Sequence, residues 1–170
     1  EYGREHWQPP KENRVKVNSD AATFQDSNNY SFAIVARDHN GKLIEAVSKC
    51  RAGIHSPEMV KAMGVREALS WTKRKQLQGV IVETDCLQLV QVIQSSHSSL
   101  SYLGTLVEEC RTILAGLKYQ NVELRFIKRF ANKVAHYLAR YCCLVADRTW
   151  RIGDVHPEFN SVLLLSLIHI

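Results

Sequence analysis

SFAIVARDHNGKLIEAVSK, residues 31–49, decides the fold. Its two halves are dense in apolar and β-branched residues. Between them stands HNG at 39–41, where glycine accepts the positive φ of a tight turn. The stretch therefore reads as a hairpin, strand 31–38 against strand 42–49. Just upstream, RVKVNSD (14–20) alternates, with Val15 and Val17 on one face, and closes on Asp20 as a third strand. Three consecutive strands imply an antiparallel meander.

Downstream the pattern changes to helices alternating with strands. Ser56 is a natural N-cap, Pro57 suits the first helical position, and Glu58 complements the positive end of the helix dipole. That helix is predicted to run to about Lys75, with Lys73, Arg74 and Lys75 at its negative end. GVIVETD (79–85) is a dense apolar run too short for a helix, hence a buried strand ending at Asp85. CLQLVQVIQ (86–94) and LGTLVEECRTILAGL (103–117) follow as helices, NVELRFIKR (121–129) as a fifth strand, and NKVAHYLARYCCLVA (132–146) as a last helix capped by Asn132. A meander followed by alternating strands and helices predicts the α/β class, a mixed sheet flanked by helices. The division expected is a short extension over 1–10, one domain over 11–146, and a tail over 147–170.

Hydrophobic residues make up 45% and charged residues 23%, the profile of an ordinary globular chain, which argues against a disordered or fibrous one. A formal charge of +5 suggests an anionic partner, nucleic acid before membrane. Five cysteines (Cys50, Cys86, Cys110, Cys142 and Cys143) cannot all pair within the chain. They read as reduced thiols in a reducing compartment, and no Cys or His pair has zinc-ligand spacing. No signal peptide opens the chain and no run approaches the roughly 18 apolar residues of a membrane span. An intracellular location, cytoplasmic or nuclear, is expected. The chain starts without methionine and stops inside VLLLSLIHI, which leaves open that it is a piece of a longer protein.

Asp20 and Asp85 each end an apolar run, where a charge is costly unless it meets water, a partner or a cation. Such aspartates often cap turns. Brought together they would repel one another, and Mg²⁺ or Mn²⁺ would relieve the repulsion. Lys61 poses a separate puzzle. Positions 61, 65, 68, 69 and 72 line one side of a 3.6-residue helix, and Val65, Ala68 and Leu69 are apolar. A lysine on that stripe either snorkels to water or serves a site.

Five motifs in register carry a resemblance. They are W-x-P-P with K-V-N-S-D-A-A (7–22), A-x-V-A-R-D-x-x-G (33–41), S-P-x-x-V-K-A with V-R-E-A-L-x-W (56–71), V-E-T-D-C (82–86) and R-x-A-N-K-V-A-H-Y-L-A-R (129–140). In this order they resemble plant type 1 ribonuclease H-like domains, reverse-transcriptase-like modules related to plant non-LTR retrotransposons. The resemblance covers roughly residues 7–146, and the tail around His156 and Pro157 is also similar. It implies a ribonuclease H-like, five-stranded mixed sheet, the first three strands antiparallel and the fourth and fifth parallel to the first. It also implies that Asp20 and Asp85 share a site. The family's reaction is metal-dependent hydrolysis of the RNA strand of an RNA–DNA hybrid, with two divalent ions held by four acidic groups.

Carried over by position, Asp20 and Asp85 take two of those acidic places and the metal with them. The glutamate of the first helix falls on Lys61, and the last carboxylate falls on His136. Asp20 and Asp85 with Lys61 present −1 instead of −4, and a neutral His136 adds nothing. At an effective dielectric of about 20, an ammonium about 4 Å from a divalent ion costs about 8 kcal/mol before relaxation. Impaired cleavage is the expectation. Glu58, one turn before Lys61, and Glu83, two residues before Asp85, are candidate substitute carboxylates, although a solvated cap and a structural ion pair are the roles expected of them; alternatively Lys61 binds the phosphate that a metal would have held.

Lys73, Arg74 and Lys75 form the tightest basic run, and the resemblance puts Lys128 and Arg129 beside the site. A hybrid or duplex held by these residues would be gripped through backbone charge and shape, with steep salt dependence. Trp7, Trp71 and Trp150 are scattered and read as core or as stray surface side chains, with no aromatic stacking platform. Three functions stay open: a nucleic-acid-binding domain with impaired cleavage, an active Mg²⁺- or Mn²⁺-dependent hybrid endoribonuclease, and a transposon-derived protein-interaction module.

Overall fold

The computed structural model describes residues 6–141, 147–151 and 160–161. Its elements run β1 (Val15–Phe24), β2 (Asn29–Arg37), β3 (Leu43–Ala52), α1 (Pro57–Lys75), β4 (Val80–Thr84), α2 (Leu87–Gln94), α3 (Tyr102–Gly116), β5 (Glu123–Phe126), α4 (Lys133–Tyr141) and β6 (Arg148–Arg151). They form one mixed sheet of order β5-β4-β1-β2-β3-β6. β1, β2 and β3 are antiparallel neighbours, while β4 lies parallel to β1 and β5 parallel to β4, as expected.

The hairpin turns where HNG stands. Gly41 takes φ 76°, and the Asp38 carboxylate accepts from the N–H groups of Asn40 and Lys42 at 2.8 and 2.9 Å, closing an Asx-type turn. Ser56 caps α1, its hydroxyl accepting from Met59 N–H at 3.3 Å, with Pro57 at the first position. The cap on α4 differs from expectation. Asn132 ends a 3₁₀ turn over Arg129–Asn132, and its side-chain amide donates to Ser19 O at 2.9 Å, tying the start of α4 to β1.

The sheet has six strands where five were expected. β6 falls in the stretch read as tail, because RTWR carries a single apolar residue and four positions give too short an alternation to register. It pairs antiparallel with β3, buries Trp150 among the α4 contacts, and Asp147 just before it accepts from Cys50 N–H at 2.9 Å. β1 also runs four residues beyond Asp20, still paired with β2. β5 is shorter than expected, since β4 offers it only Ile81–Thr84 as partners. Lys128 and Arg129 therefore stand past the strand. Cys142, Cys143, His156, Pro157 and VLLLSLIHI lie outside the described residues.

Two cores follow from the period-2 alternation. One face of the sheet packs Val17, Ile34 and Val82 against α1, α2 and α3; the other packs Ala33, Val35 and Ala46 against α4. Trp7, Trp71 and Trp150 are all buried, which selects the core reading for each. Cys50, Cys86 and Cys110 are not bridged to one another, and burial pushes the Cys110 thiol up to about 12, so it is inert at neutral pH. No helix among the described residues is long and apolar enough to cross a membrane.

The even-numbered face of β1 would read as solvated, yet Lys16 and Asn18 are buried. Lys16 Nζ lies 2.9 Å from Glu83 Oε1, Asn18 Nδ2 donates to Glu83 Oε2 at 2.9 Å, and Arg37 donates to Asn18 Oδ1 at 3.1 Å. Trp7 closes this network, its ring 3.5 Å from the Arg37 guanidinium carbon. Burial pulls the Arg37 pKa down to about 9 against the pull of Glu83, so it stays a cation at neutral pH.

Gly64 sets how closely α1 approaches β1. A Cβ there would stand 2.7 Å from Ser19 Oγ, 3.4 Å from Asp20 O and 3.5 Å from Phe32 Cβ. Gly64→Val is expected to push the helix off the strand and to lower stability by about 1–3 kcal/mol, measured by denaturant unfolding. Unchanged stability would show that the helix can back away freely.

Candidate functional site

Parallel pairing of β1 with β4 sets the geometry. Its last paired residues are Ser19 and Thr84, so the next residue of each chain segment, Asp20 and Asp85, leaves the ladder at the same edge. Both carboxylates are nearly enclosed, with side-chain exposures of 1% and 4%. Asp20 is thus interior to its strand but terminal to the parallel ladder, a distinction the alternation alone could not draw.

Lys61 is brought between them. Its ammonium donates to Asp85 Oδ1 and lies 3.3 Å from Asp20 Oδ1. His136, on α4, places Nδ1 2.8 Å from Asp20 Oδ2, and Ala21 N–H donates to Asp20 Oδ1 at 2.8 Å. The apolar stripe of α1 therefore carries a lysine because that turn of the helix faces two carboxylates rather than the core. Burial raises the Asp20 pKa, but His136, Lys61 and the Ala21 N–H outweigh it and hold the carboxyl below its usual range. Burial likewise lowers Lys61, and the two aspartates more than reverse it, so the ammonium is held above its ordinary value.

A cleft of about 230 Å³ opens beside this cluster, lined by Asp20, Lys61, His136, Arg129 and Arg140 among others. Arg140 was not singled out from sequence, yet it sits one turn after His136 on α4, the i,i+4 spacing that shares a face. No described carboxylate pairs with Arg129 or Arg140. Three cations, Lys61, Arg129 and Arg140, thus line the cleft with Asp20.

The other expected residues go elsewhere. Lys73, Arg74 and Lys75 end α1 roughly 18 Å along the helix from Lys61, at about 1.5 Å per residue. There Arg74 pairs with Glu67 and Lys75 with Glu45. Lys128 is exposed but lines a different cavity. Glu58 is exposed in the first turn of α1, and Glu83 is engaged by Lys16 and Asn18. An aromatic group also escaped the sequence pattern. Tyr30 meets His55 edge-on, and His55 stacks with exposed Tyr102, at the α1 end that holds Lys61.

The donor set does not fit a divalent ion. A metal between Asp20 and Asp85 would have to displace an ammonium that already pairs with both. Among the described residues, no three His, Cys, Asp or Glu side chains gather as metal ligands.

Residues 18–142 match the model of the family described as reverse transcriptase-like. Solved structures share the fold. RNase H1 from the halophilic archaeon Halobacterium salinarum matches with a TM-score of 0.67 at 14% identity, covering 76% of this chain and 97% of its own. The N-terminal RNase H domain of Rv2228c from Mycobacterium tuberculosis gives 0.64 at 12% identity, covering 75% and 91%. LC11-RNase H1, solved in complex with an RNA/DNA hybrid, gives 0.58 at 16% identity, covering 73% and 92%. No curated protein sequence matches the chain.

Because the Asp20 pKa is depressed, its contribution to stability is present above the ordinary value of 3.8 and is lost only as pH falls through the lower folded value. Lys61, raised above 10.5, keeps its contribution until pH climbs through the higher folded value. Lys61→Met removes the one ammonium shared by the two buried carboxylates, leaving Asp20 only His136 and the Ala21 N–H. It is expected to cost about 3 kcal/mol at neutral pH and to move the Asp20 titration, followed by carboxyl-carbon NMR, to higher pH. An Asp20 pKa unmoved by that substitution would mean that Lys61 does not compensate it.

Proposed function

Because this chain belongs to the reverse transcriptase-like family and has the ribonuclease H fold, we propose that its cleft grips the phosphate backbone of an RNA–DNA hybrid or duplex without cutting it. The observation that carries this reading is the Lys61 ammonium lodged between Asp20 and Asp85. Two bare carboxylates would repel a phosphate. Once Lys61 neutralises part of that charge, Arg129 and Arg140 turn the cleft net positive, and a phosphodiester oxygen becomes the natural guest.

Each residue then has a binding role. Arg129 and Arg140 offer planar forks to phosphate oxygens. Lys61 offsets one of the two aspartate charges. His136 and Ala21 hold Asp20 in place, so the carboxylate cannot swing into the guest's path. Mg²⁺ or Mn²⁺ belongs to the hydrolytic reaction of ribonuclease H, and here the ammonium stands where a cation would be needed. Structures bearing the fold include one complexed with an RNA/DNA hybrid and one, a foamy viral protease-reverse transcriptase, with double-stranded DNA, which favours nucleic acid as the partner class. The motif set, similar to plant modules related to non-LTR retrotransposons, supports descent from such an element. Nucleic acid as the partner supports a nuclear or cytoplasmic site of action.

A mobility shift with a labelled hybrid in chelator tests the proposal. Binding is expected without metal, falling steeply with salt, and Arg129→Ala or Arg140→Ala should each reduce the logarithmic salt slope by about 0.9. No product is expected with Mg²⁺ or Mn²⁺. Lys61→Glu should introduce ion-induced thermal stabilisation that the parent lacks. Hybrid cleavage abolished by Asp20→Asn would overturn the non-cutting reading, and a salt-insensitive or missing shift would leave protein docking in its place.

A further inference from the structure

A second cavity, about 630 Å³, lies at the β5 edge of the sheet and takes no part in the cleft chemistry. The segment from His6 to Lys11 forms one wall, α2 contributes Val90 and Gln94, and Lys16 and Glu83 lie in its floor. Its size falls within the roughly 300–1,000 Å³ of small-molecule sites.

The lining is cationic and partly flat. Lys11, Arg14, Lys16, Arg125 and Lys128 all border it. Glu83 is the one carboxylate in that lining among the described residues, and it is engaged by Lys16 and Asn18. Glu123 lies beside the cavity, paired with Arg14 and Arg125, so cations still outnumber acids. Pro9, Pro10, Phe126 and Ile127 supply apolar surface. Trp7 is 3% exposed and clamped on Arg37, yet its buried Nε1–H has no acceptor among the described residues. A buried indole N–H ordinarily finds an oxygen.

We infer that this cavity is a nucleotide site: the cations take the phosphate and the apolar wall takes the flat base, beside the Trp7 ring. The site does not depend on the backbone-binding reading of the cleft. Two sources supply this chemistry, a free nucleoside monophosphate and the unpaired end of a strand leaving the cleft. Lys128 in the cavity and Arg129 in the cleft are consecutive, so one strand could reach both.

Titration of the chain with AMP, followed through the three tryptophan indole N–H resonances, tests it; Trp7→Phe identifies the Trp7 signal. AMP is expected to shift that signal saturably while those of Trp71 and Trp150 move little. Lys128→Ala should weaken AMP about tenfold. Lys73→Ala, which removes an equal charge at the far end of α1, should not. If AMP leaves the Trp7 resonance in place, or if adenosine or inorganic phosphate binds as tightly as AMP, the inference fails. Hybrids separate the two sources: tighter binding of an overhanging than a blunt hybrid, lost with Lys128→Ala, assigns a strand end. Equal binding of the two, with AMP still saturating, assigns a free nucleotide. Because AMP is tested alone, a failed cleft reading would not mimic a failed cavity.

Discussion

Ser19 stands opposite Thr84 in the parallel ladder between β1 and β4, and each is followed by an aspartate. Everything at the candidate site descends from that register. Side chains in a strand alternate strictly, so a slip of one residue would turn Asp20 to the opposite face and separate it from Asp85. Parallel strands also end on the same side, which is why segments 65 residues apart in the chain deliver their carboxylates to one edge. The register is held in turn by the apolar matching of Val17 with Val82 in the buried ladder and by the close approach of α1 that Gly64 permits.

Once two carboxylates are enclosed side by side, some cation is required, because neither can reach enough water to remain charged alone. A divalent ion is one solution and an ammonium tethered to α1 is another. The tether matters. A diffusible ion leaves when its concentration falls, whereas Lys61 is present whenever α1 is folded. The ammonium leaves a residual charge of −1 on the pair, which His136 and the Ala21 N–H stabilise further at Asp20.

Much of this was legible in the sequence, for identifiable reasons. The hairpin turn, the α1 cap and the strand ending at Asp85 each carry a strong local signal: a glycine at positive φ, a serine before proline, an apolar run stopped by acids. The meeting of Asp20, Lys61, Asp85 and His136 came from motif order, since no local pattern brings β1, α1, β4 and α4 together. What escaped lacked either signal. β6 is four residues with one apolar side chain. Arg140 is an ordinary surface arginine until α4 is placed over the sheet. Lys16 and Asn18 look solvated because alternation identifies a polar face but cannot tell whether something covers it, and here Trp7 does.

The polar face of β1 ties these points together. Lys16, Asn18 and Asp20 succeed one another along the same side of a central strand, where uncompensated charge would be expensive. At the Lys16 end the cost is offset by complete pairing with Glu83, by Asn18 bridging to Arg37, and by the Trp7 lid. Beyond Asp20, α4 takes over and packs against Ala22. Asp20 falls between the two covers, where its partners Lys61 and His136 keep side-chain exposures of 22% and 28%. The opening is therefore set by where the Trp7 lid ends and α4 begins.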